Sequence, residues 1–167
     1  MAAVSLPAER RQGASLHHVQ DVTSSAASAF ALLCEVEKWP VWLSILRTAR
    51  RLDDGPIGLG SEIAVRSTIP GEVEELYEVD RFIDGHALSL VGAYSLRRRI
   101  DFRVESKSTL ARVTVKIDYP SYGGLVGTLV DRLTVRRRID LALAESLVHF
   151  KGLVEFTRAE DEILADF

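Results

Sequence analysis

The sequence predicts an α+β fold in which a curved antiparallel sheet of about seven strands wraps around a long C-terminal helix, with two short helices closing one end. Apolar and polar residues alternate between Glu62 and Tyr119, as is typical of a sheet with one covered face and one wet face. After Pro120 no proline occurs, and apolar residues recur at helical spacing to about Thr157. At 1.5 Å per residue this helix reaches about 50 Å, enough to cover the apolar face of the sheet.

The first part of the chain predicts one strand and two short helices. Residues 16–22 are predicted to form a strand, and the hydroxyls of residues 23–25 can cap the alanine-rich helix that follows. Pro40 cannot continue that helix, so residues 37–46 are predicted to form a separate helical turn or two at an angle to it. Three glycines and a proline at residues 53–61 are typical of turns.

The sheet is predicted to continue as a series of strands separated by short turns. These strands cover residues 62–68, 72–83, 87–94, 96–105 and 110–119. The Asp84-Gly85 pair marks the turn between the second and the third of them. No internal repeat is present. We therefore expect a mobile N-terminal tail over residues 1–14, a single domain over 15–158 and a C-terminal tail over 159–167.

Composition and charge exclude several functional classes. The net charge is −3, and acidic residues flank the arginine runs at 97–99 and 136–138, so no nucleic-acid partner is expected. Cys34 is the single cysteine and lies in an apolar run, which predicts a buried thiol and no disulfide. No apolar run reaches the roughly 20 residues that span a bilayer, and the N-terminus does not resemble a secretory signal. We expect a cytoplasmic protein.

The four histidines do not predict a metal site or a cofactor. His17 and His18 are adjacent on a strand and point to opposite faces, whereas His86 and His149 lie far away along the chain. No H-x-H or H-x-x-x-H spacing occurs, and one cysteine cannot form a zinc site. The glycines of "GPIGLG" lead into a strand rather than a helix, so they do not predict a phosphate-binding loop.

Three stretches together resemble the START/Bet v 1-like superfamily, including its bacterial polyketide cyclase/dehydrase-like proteins. They are "DVTSSAASAFALLCEVEKWPVWLSIL", "GPIGLGSEI" and "DYPSYGGLVGTLVDRLTVRRRIDLALAESLVHFKGLVE", and the resemblance extends from Leu16 to Glu155. It implies a helix-grip fold with a hollow between sheet and helix that accepts a small apolar molecule. It implies no particular reaction, because proteins with this fold include lipid carriers, receptors and cyclases.

Three polar residues are predicted to face that hollow. Val79 sets the phase of its strand, which turns Glu75 and Tyr77 toward the covered face, and Arg98 shares parity with Ile100. These groups can orient the hydroxyls of a ligand, or Glu75 can abstract a proton next to a carbonyl that Tyr77 or Arg98 polarises. Alternatively, Glu75 reaches solvent near a strand end and pairs with an arginine. The sequence does not decide whether Glu75 and Arg98 are close enough to pair.

The walls of the hollow are predicted from inward positions on the strands and on the helix. They are Val65, Val73, Val79, Ile100, Phe102, Val113, Val115, Ile117, Leu129 and Leu133. Trp39 and Trp42 lie three residues apart on a helical turn, and they either contact a ligand or plug the end of the core. Arg136 is a further candidate contact, although an ion pair with Asp140 or with the sheet is favoured.

The leading hypothesis is that the domain binds a small hydrophobic molecule that is lipid-like, aromatic or polyketide-like. The alternative is a cyclase/dehydratase that closes a poly-β-keto chain by aldol chemistry and removes water, with Glu75, Tyr77 and Arg98 as its catalytic groups. A third hypothesis is a protein that mainly pairs with another subunit, for example as a homodimer, through a sheet edge or the arginine-bearing helix.

Overall fold

Seven strands form a single curved antiparallel sheet. The computed structural model describes residues 14–68, 74–93, 98–119 and 129–165, with side chains except at positions 14, 119, 129–132 and 161–165. The strands are β1 (Ala14–Val22), β2 (Leu46–Arg51), β3 (Glu62–Ser67), β4 (Glu74–Ile83), β5 (Ala87–Gly92), β6 (Arg99–Lys107) and β7 (Leu110–Tyr119). Their order across the sheet is β1-β7-β6-β5-β4-β3-β2. The predicted α+β sheet of about seven strands is confirmed.

Two short helices follow β1, as the sequence predicts. Helix α1 (Ala26–Cys34) begins after Ser25, whose hydroxyl accepts a hydrogen bond of 3.0 Å from the Ser28 amide. A 3-10 turn (Val36–Lys38) leads into α2 (Trp39–Trp42), which carries Pro40 in its first turn, where no amide hydrogen bond is lost.

Strand β2 was not predicted as a strand, because its apolar residues do not alternate. Its sequence is LRTARR, and only Leu46 and Ala49 are buried. The pairing with β3 shifts between Leu46 and Thr48, so a bulge places the two buried side chains three residues apart. The predicted helical turn therefore ends before residue 46.

Strand β4 follows the predicted phase. Tyr77 and Val79 are buried, whereas Glu78 is exposed. The pairing with β5 shifts between Val79 and Arg81, and this irregularity changes the phase of the strand. Phe82 consequently packs on the covered side, with its ring centroid 5.8 Å from that of Phe30 in α1.

The two tryptophans pack in the core at one end of the sheet. Trp39 is 1% exposed and Trp42 is 0% exposed, and their ring centroids lie 5.7 and 6.2 Å from that of Phe102 in β6. The Trp39 indole N–H donates a hydrogen bond of 2.9 Å to the carbonyl oxygen of Leu33, which fixes α2 against α1. Phe150 lies 4.9 Å from Trp42, edge to face. Both rings therefore belong to the hydrophobic core.

Helix α3 (Leu129–Ala165) supplies the rest of that core. Its buried stripe consists of Leu143, Leu147, Phe150 and Val154, each at most 3% exposed. Nearer the N-terminus of the helix, Leu133 is 64% exposed, and Arg136 is also exposed. The helix packs mainly against β1 and α2.

Helix α3 also runs past its predicted end near Thr157. It continues to Ala165, because residues 158–165 contain neither proline nor glycine. This segment covers most of the predicted C-terminal tail over 159–167. The predicted N-terminal tail lies outside the described residues, except Ala14, which begins β1.

Candidate functional site: a polar cluster on the inner face of the sheet

A glycine in β5 allows two long side chains from different strands to meet. Tyr77 of β4 pairs with Gly92, whose amide donates a hydrogen bond of 2.9 Å to the Arg98 carbonyl oxygen just before β6. Strands two apart in a sheet are separated by about 9.6 Å, a distance that long side chains can bridge. Because Gly92 has no side chain, no Cβ stands between Tyr77 and Arg98 on this face of β5.

Glu75 joins these two residues into one hydrogen-bonded cluster. It lies two residues before Tyr77 on the same face of β4, and its Oε2 accepts a hydrogen bond of 3.1 Å from the Tyr77 hydroxyl. Its Oε1 accepts a hydrogen bond from Arg98 Nη1 in an ion pair. The Glu75 and Arg98 side chains are only 19% and 20% exposed. The three predicted catalytic residues therefore lie together, and both carboxylate oxygens are occupied.

Tyr77 acts as a hydrogen-bond donor in this cluster. Burial of the phenol, followed by the negative charge of Glu75, raises its pKa well above the usual value of 10.0. The hydroxyl therefore keeps its proton throughout the physiological range. Tyr77 and Arg98 supply donors, and Glu75 supplies acceptors, so the cluster can bind a polar group of either kind.

The predicted wall residues divide into a closed group and a group near the polar cluster. A side chain without exposed surface borders no space large enough for a water molecule. Val79, Phe102 and Val113 have none, and Val115 has 1%. The exposed fractions rise toward the cluster, to 3% at Val65, 8% at Ile100 and 9% at Ile117.

Ile100 and Ile117 connect the cluster to the apolar interior. Ile100 lies two residues after Arg98 on the inner face, and it pairs directly with Ile117 of β7. Leu16 of β1 pairs with Ile117 on its other side and is 5% exposed. An apolar row thus leads from the polar cluster to the edge of the sheet beneath α3.

Four further contacts were predicted from the sequence. Val73 and the side chain of Leu129 are outside the described residues, and Leu133 and Arg136 are exposed on α3. The assignment of all these residues to a ligand site stays a prediction.

A second polar contact on the inner face was not predicted. His18 Nε2 lies 2.7 Å from Asp140 Oδ1, and because an ionised carboxylate only accepts hydrogen bonds, the ring donates. His18 shares parity with Leu16, so it faces α3, while Asp140 extends the buried stripe of that helix by one turn. The contact ties β1 to α3. Asp140 thus bonds to the sheet.

The described residues contain no group of three or more histidine, cysteine or acidic side chains that could hold a metal ion. Within the same residues, no helix is both long and apolar enough to cross a bilayer.

Solved structures share this architecture. The START superfamily protein from Mycobacterium smegmatis is 16% identical with a TM-score of 0.62, and the match covers 86% of this chain and 98% of that one. The Zhui aromatase/cyclase from Streptomyces sp. R1128 is 12% identical with a TM-score of 0.63, covering 86% and 94%. A protein from Thermus thermophilus, TTHA0849, is 12% identical with a TM-score of 0.71, covering 84% and 97%.

These likenesses confirm the helix-grip fold predicted from the sequence. No family model matches the chain. No curated protein matches it in sequence either. At 12–16% identity the structural matches concern the fold and not the activity.

Proposed function

We propose that this helix-grip domain binds a small, largely apolar molecule in the cytoplasm and holds its polar end at Glu75, Tyr77 and Arg98. One observation carries the proposal. An ion pair whose side chains are each about one-fifth exposed lies on the inner sheet face, next to apolar residues. Charged groups removed from water are costly, and a folded protein gains little stability from such a pair. A role in recognition accounts for its position.

The cluster favours a neutral polar group over a charged one. Glu75 and Arg98 balance each other's charge, so a ligand carboxylate or amine would compete with one member of the pair. A hydroxyl can donate to Glu75, and a carbonyl can accept from Tyr77 or Arg98. We therefore propose an aromatic or alicyclic ligand that carries a hydroxyl or a ketone at one end.

A titration with 2-naphthol tests this assignment, because the probe has an apolar body and one hydroxyl. Its fluorescence reports transfer from water into the protein. Arg98→Met and Tyr77→Phe should each weaken binding about tenfold, which corresponds to the loss of a hydrogen bond of ~1.4 kcal/mol. Arg112→Met is the matched control, since Arg112 is also ion-paired, with Asp21, but at 41% exposure. Equal affinities for wild type and all three variants would contradict the proposal.

The second candidate function is a cyclase/dehydratase reaction. The convergence of Glu75, Tyr77 and Arg98 favours it, because a ligand carbonyl near the cluster could take a hydrogen bond from either donor. Glu75 would then remove a proton from the carbon next to that carbonyl. In the structure both oxygens of Glu75 already accept hydrogen bonds, so one must be released first. This requirement places catalysis second to binding.

Glu75→Gln separates the two functions. For an enzyme that uses Glu75 as its base, turnover of a poly-β-keto substrate should vanish while affinity stays within a few-fold. A parallel loss of affinity and turnover would mean that Glu75 only contacts the ligand.

A further inference from the structure

The outer face of α3 carries an exposed apolar stripe, on the side opposite to the buried stripe. This outer stripe consists of Leu141, Ala144, Val148, Gly152 and Phe156, all of which are exposed. Leu141, Val148 and Phe156 are 61%, 60% and 63% exposed. At 3.6 residues per turn, the five positions fall within a sector of about 120°, which also contains Glu145 and Glu155.

Such a stripe is unusual, because the solvent side of a surface helix normally carries charged and polar residues. Within the described parts of the chain, the five stripe residues are all exposed, and beside them Glu155 accepts a hydrogen bond from the Thr23 amide. Gly152 also leaves space for a close neighbour, since a Cβ built at this position meets no atom within 4 Å. Contiguous exposed apolar side chains of this kind mark interaction sites.

We propose that a second copy of the chain covers the outer stripe, with the two α3 helices packed antiparallel around Val148. The stripe is nearly symmetric about this residue. Leu141 lies seven positions before it and Phe156 eight after it, whereas Ala144 and Gly152 lie four positions to either side. A twofold axis at Val148 therefore places large residues against large ones and small residues against small ones.

The charges of α3 select the antiparallel orientation. Residues 136–138 are three arginines, and residues 160–162 are Glu, Asp and Glu, at similar distances on either side of Val148. Antiparallel packing brings the basic end of one copy to the acidic end of the other at both ends of the interface. Parallel packing would instead bring like charges together. The charges at the two ends of the stripe are therefore complementary between two copies when the helices pack antiparallel, and not when they pack parallel.

The interface is narrow, so we expect a dimer that dissociates on dilution. The stripe spans about 22 Å of helix from residue 141 to residue 156, and the flanking charges extend this length to about 39 Å, from residue 136 to residue 162. A single helix pair buries less than the ~800 Å² per partner of a standard stable interface. We infer a dissociation constant in the micromolar range. This dimer is independent of ligand binding, since the outer stripe faces away from the inner sheet face.

Sedimentation equilibrium over a range of concentrations tests the dimer. Wild type should show a monomer–dimer equilibrium, and Val148→Glu should raise the dissociation constant at least tenfold by placing two carboxylates at the axis. Val41→Glu is the matched control, because Val41 in α2 is 63% exposed but lies outside the stripe. A monomeric wild type at every concentration would overturn the proposal, as would an equal response to both variants.

Disulfide cross-linking tests the register in a Cys34→Ser background. Val148→Cys should cross-link with itself, whereas Ala144→Cys should cross-link with Gly152→Cys in a mixture of the two variants and only weakly with itself. Efficient self-linking of both Ala144→Cys and Gly152→Cys would indicate parallel packing and overturn the antiparallel assignment.

Charge reversal gives a third readout. Replacing residues 136–138 by glutamate should abolish self-association, and so should replacing residues 160–162 by lysine. A mixture of the two triple variants should form a heterodimer, because opposite charges then meet at both ends. Failure of the mixture to associate, with both variants folded, would contradict the electrostatic argument.

Discussion

The Glu75–Arg98 ion pair provides a quantitative test of the site. We propose a double-mutant cycle with Glu75→Gln, Arg98→Met and the double variant. Glu75→Gln keeps a hydrogen-bond acceptor but leaves Arg98 without the charge that it balances. Arg98→Met keeps the apolar stem but leaves the Glu75 carboxylate partly buried. Removing one partner of a fully buried pair destabilises a protein by about 3–5 kcal/mol. The two side chains are 19% and 20% exposed, so we expect about 2 kcal/mol for each single variant.

The coupling between the two residues distinguishes an ion pair from two independent side chains. The double variant contains neither charge, so we expect it to lose only about 2.5 kcal/mol, which gives a coupling of about 1.5 kcal/mol. Urea unfolding at pH 7 measures all four free energies. A parallel cycle on the exposed Asp21–Arg112 pair should give a much smaller coupling. If the loss in the double variant equals the sum of the two single losses within ~0.3 kcal/mol, the ion pair does not form and the reasoning is refuted.

Three further predictions follow from the same structure. Trp39→Phe should lower the free energy of unfolding by about 1–3 kcal/mol more than Trp42→Phe, because among the described residues only the Trp39 indole finds a hydrogen-bond acceptor. Equal losses in urea unfolding would contradict this. Burial, with a smaller effect from a nearby carboxylate, raises the pKa of Cys34 to about 11, from 9.0 for a free thiol. The folded state therefore holds the thiol proton more tightly, so between pH 9.0 and about 11 the free energy of unfolding should fall more steeply in wild type than in Cys34→Ser. If the free energy of unfolding depends on pH in the same way in both proteins, the pKa of Cys34 is not raised. Asp140→Ala removes the bond from His18, so hydrogen exchange should quicken in α3 before residue 143 and stay unchanged after it. If the exchange rates before residue 143 are the same in Asp140→Ala as in wild type, the bond does not tie the helix to β1.

The architecture was predictable because local patterns and fold agree along most of the chain. Strict alternation identified β6 and β7, and Val79 set the correct phase of β4. Strand β2 escaped detection because a bulge places its buried residues, Leu46 and Ala49, three positions apart. A search for strict alternation does not detect a strand in which a bulge inserts one extra residue, because the insertion breaks the alternation of buried and exposed side chains.

The sequence predicted that the three residues of the polar cluster share one face of the sheet, but it did not predict their geometry, and their role as a site stays a prediction. Parity placed Glu75, Tyr77 and Arg98 on one face of the sheet, yet whether they met depended on the pairing of β4, β5 and β6. Gly92 was the available signal, since a glycine within a strand often marks a close approach. The His18–Asp140 contact joins residues 122 positions apart, and no local pattern specifies such a distance.

Native mass spectrometry, on protein purified without detergent, tests the central claim most directly. Wild type should show a reproducible mass excess of a few hundred daltons that disappears on denaturation, as expected for one drug-sized molecule. The Arg98→Met variant should carry less of it, and the Arg112→Met control should carry as much as wild type. An identical excess in all three proteins would contradict the assignment of the polar cluster as the binding site. Absence of any excess, together with no uptake of 2-naphthol, would contradict ligand binding itself.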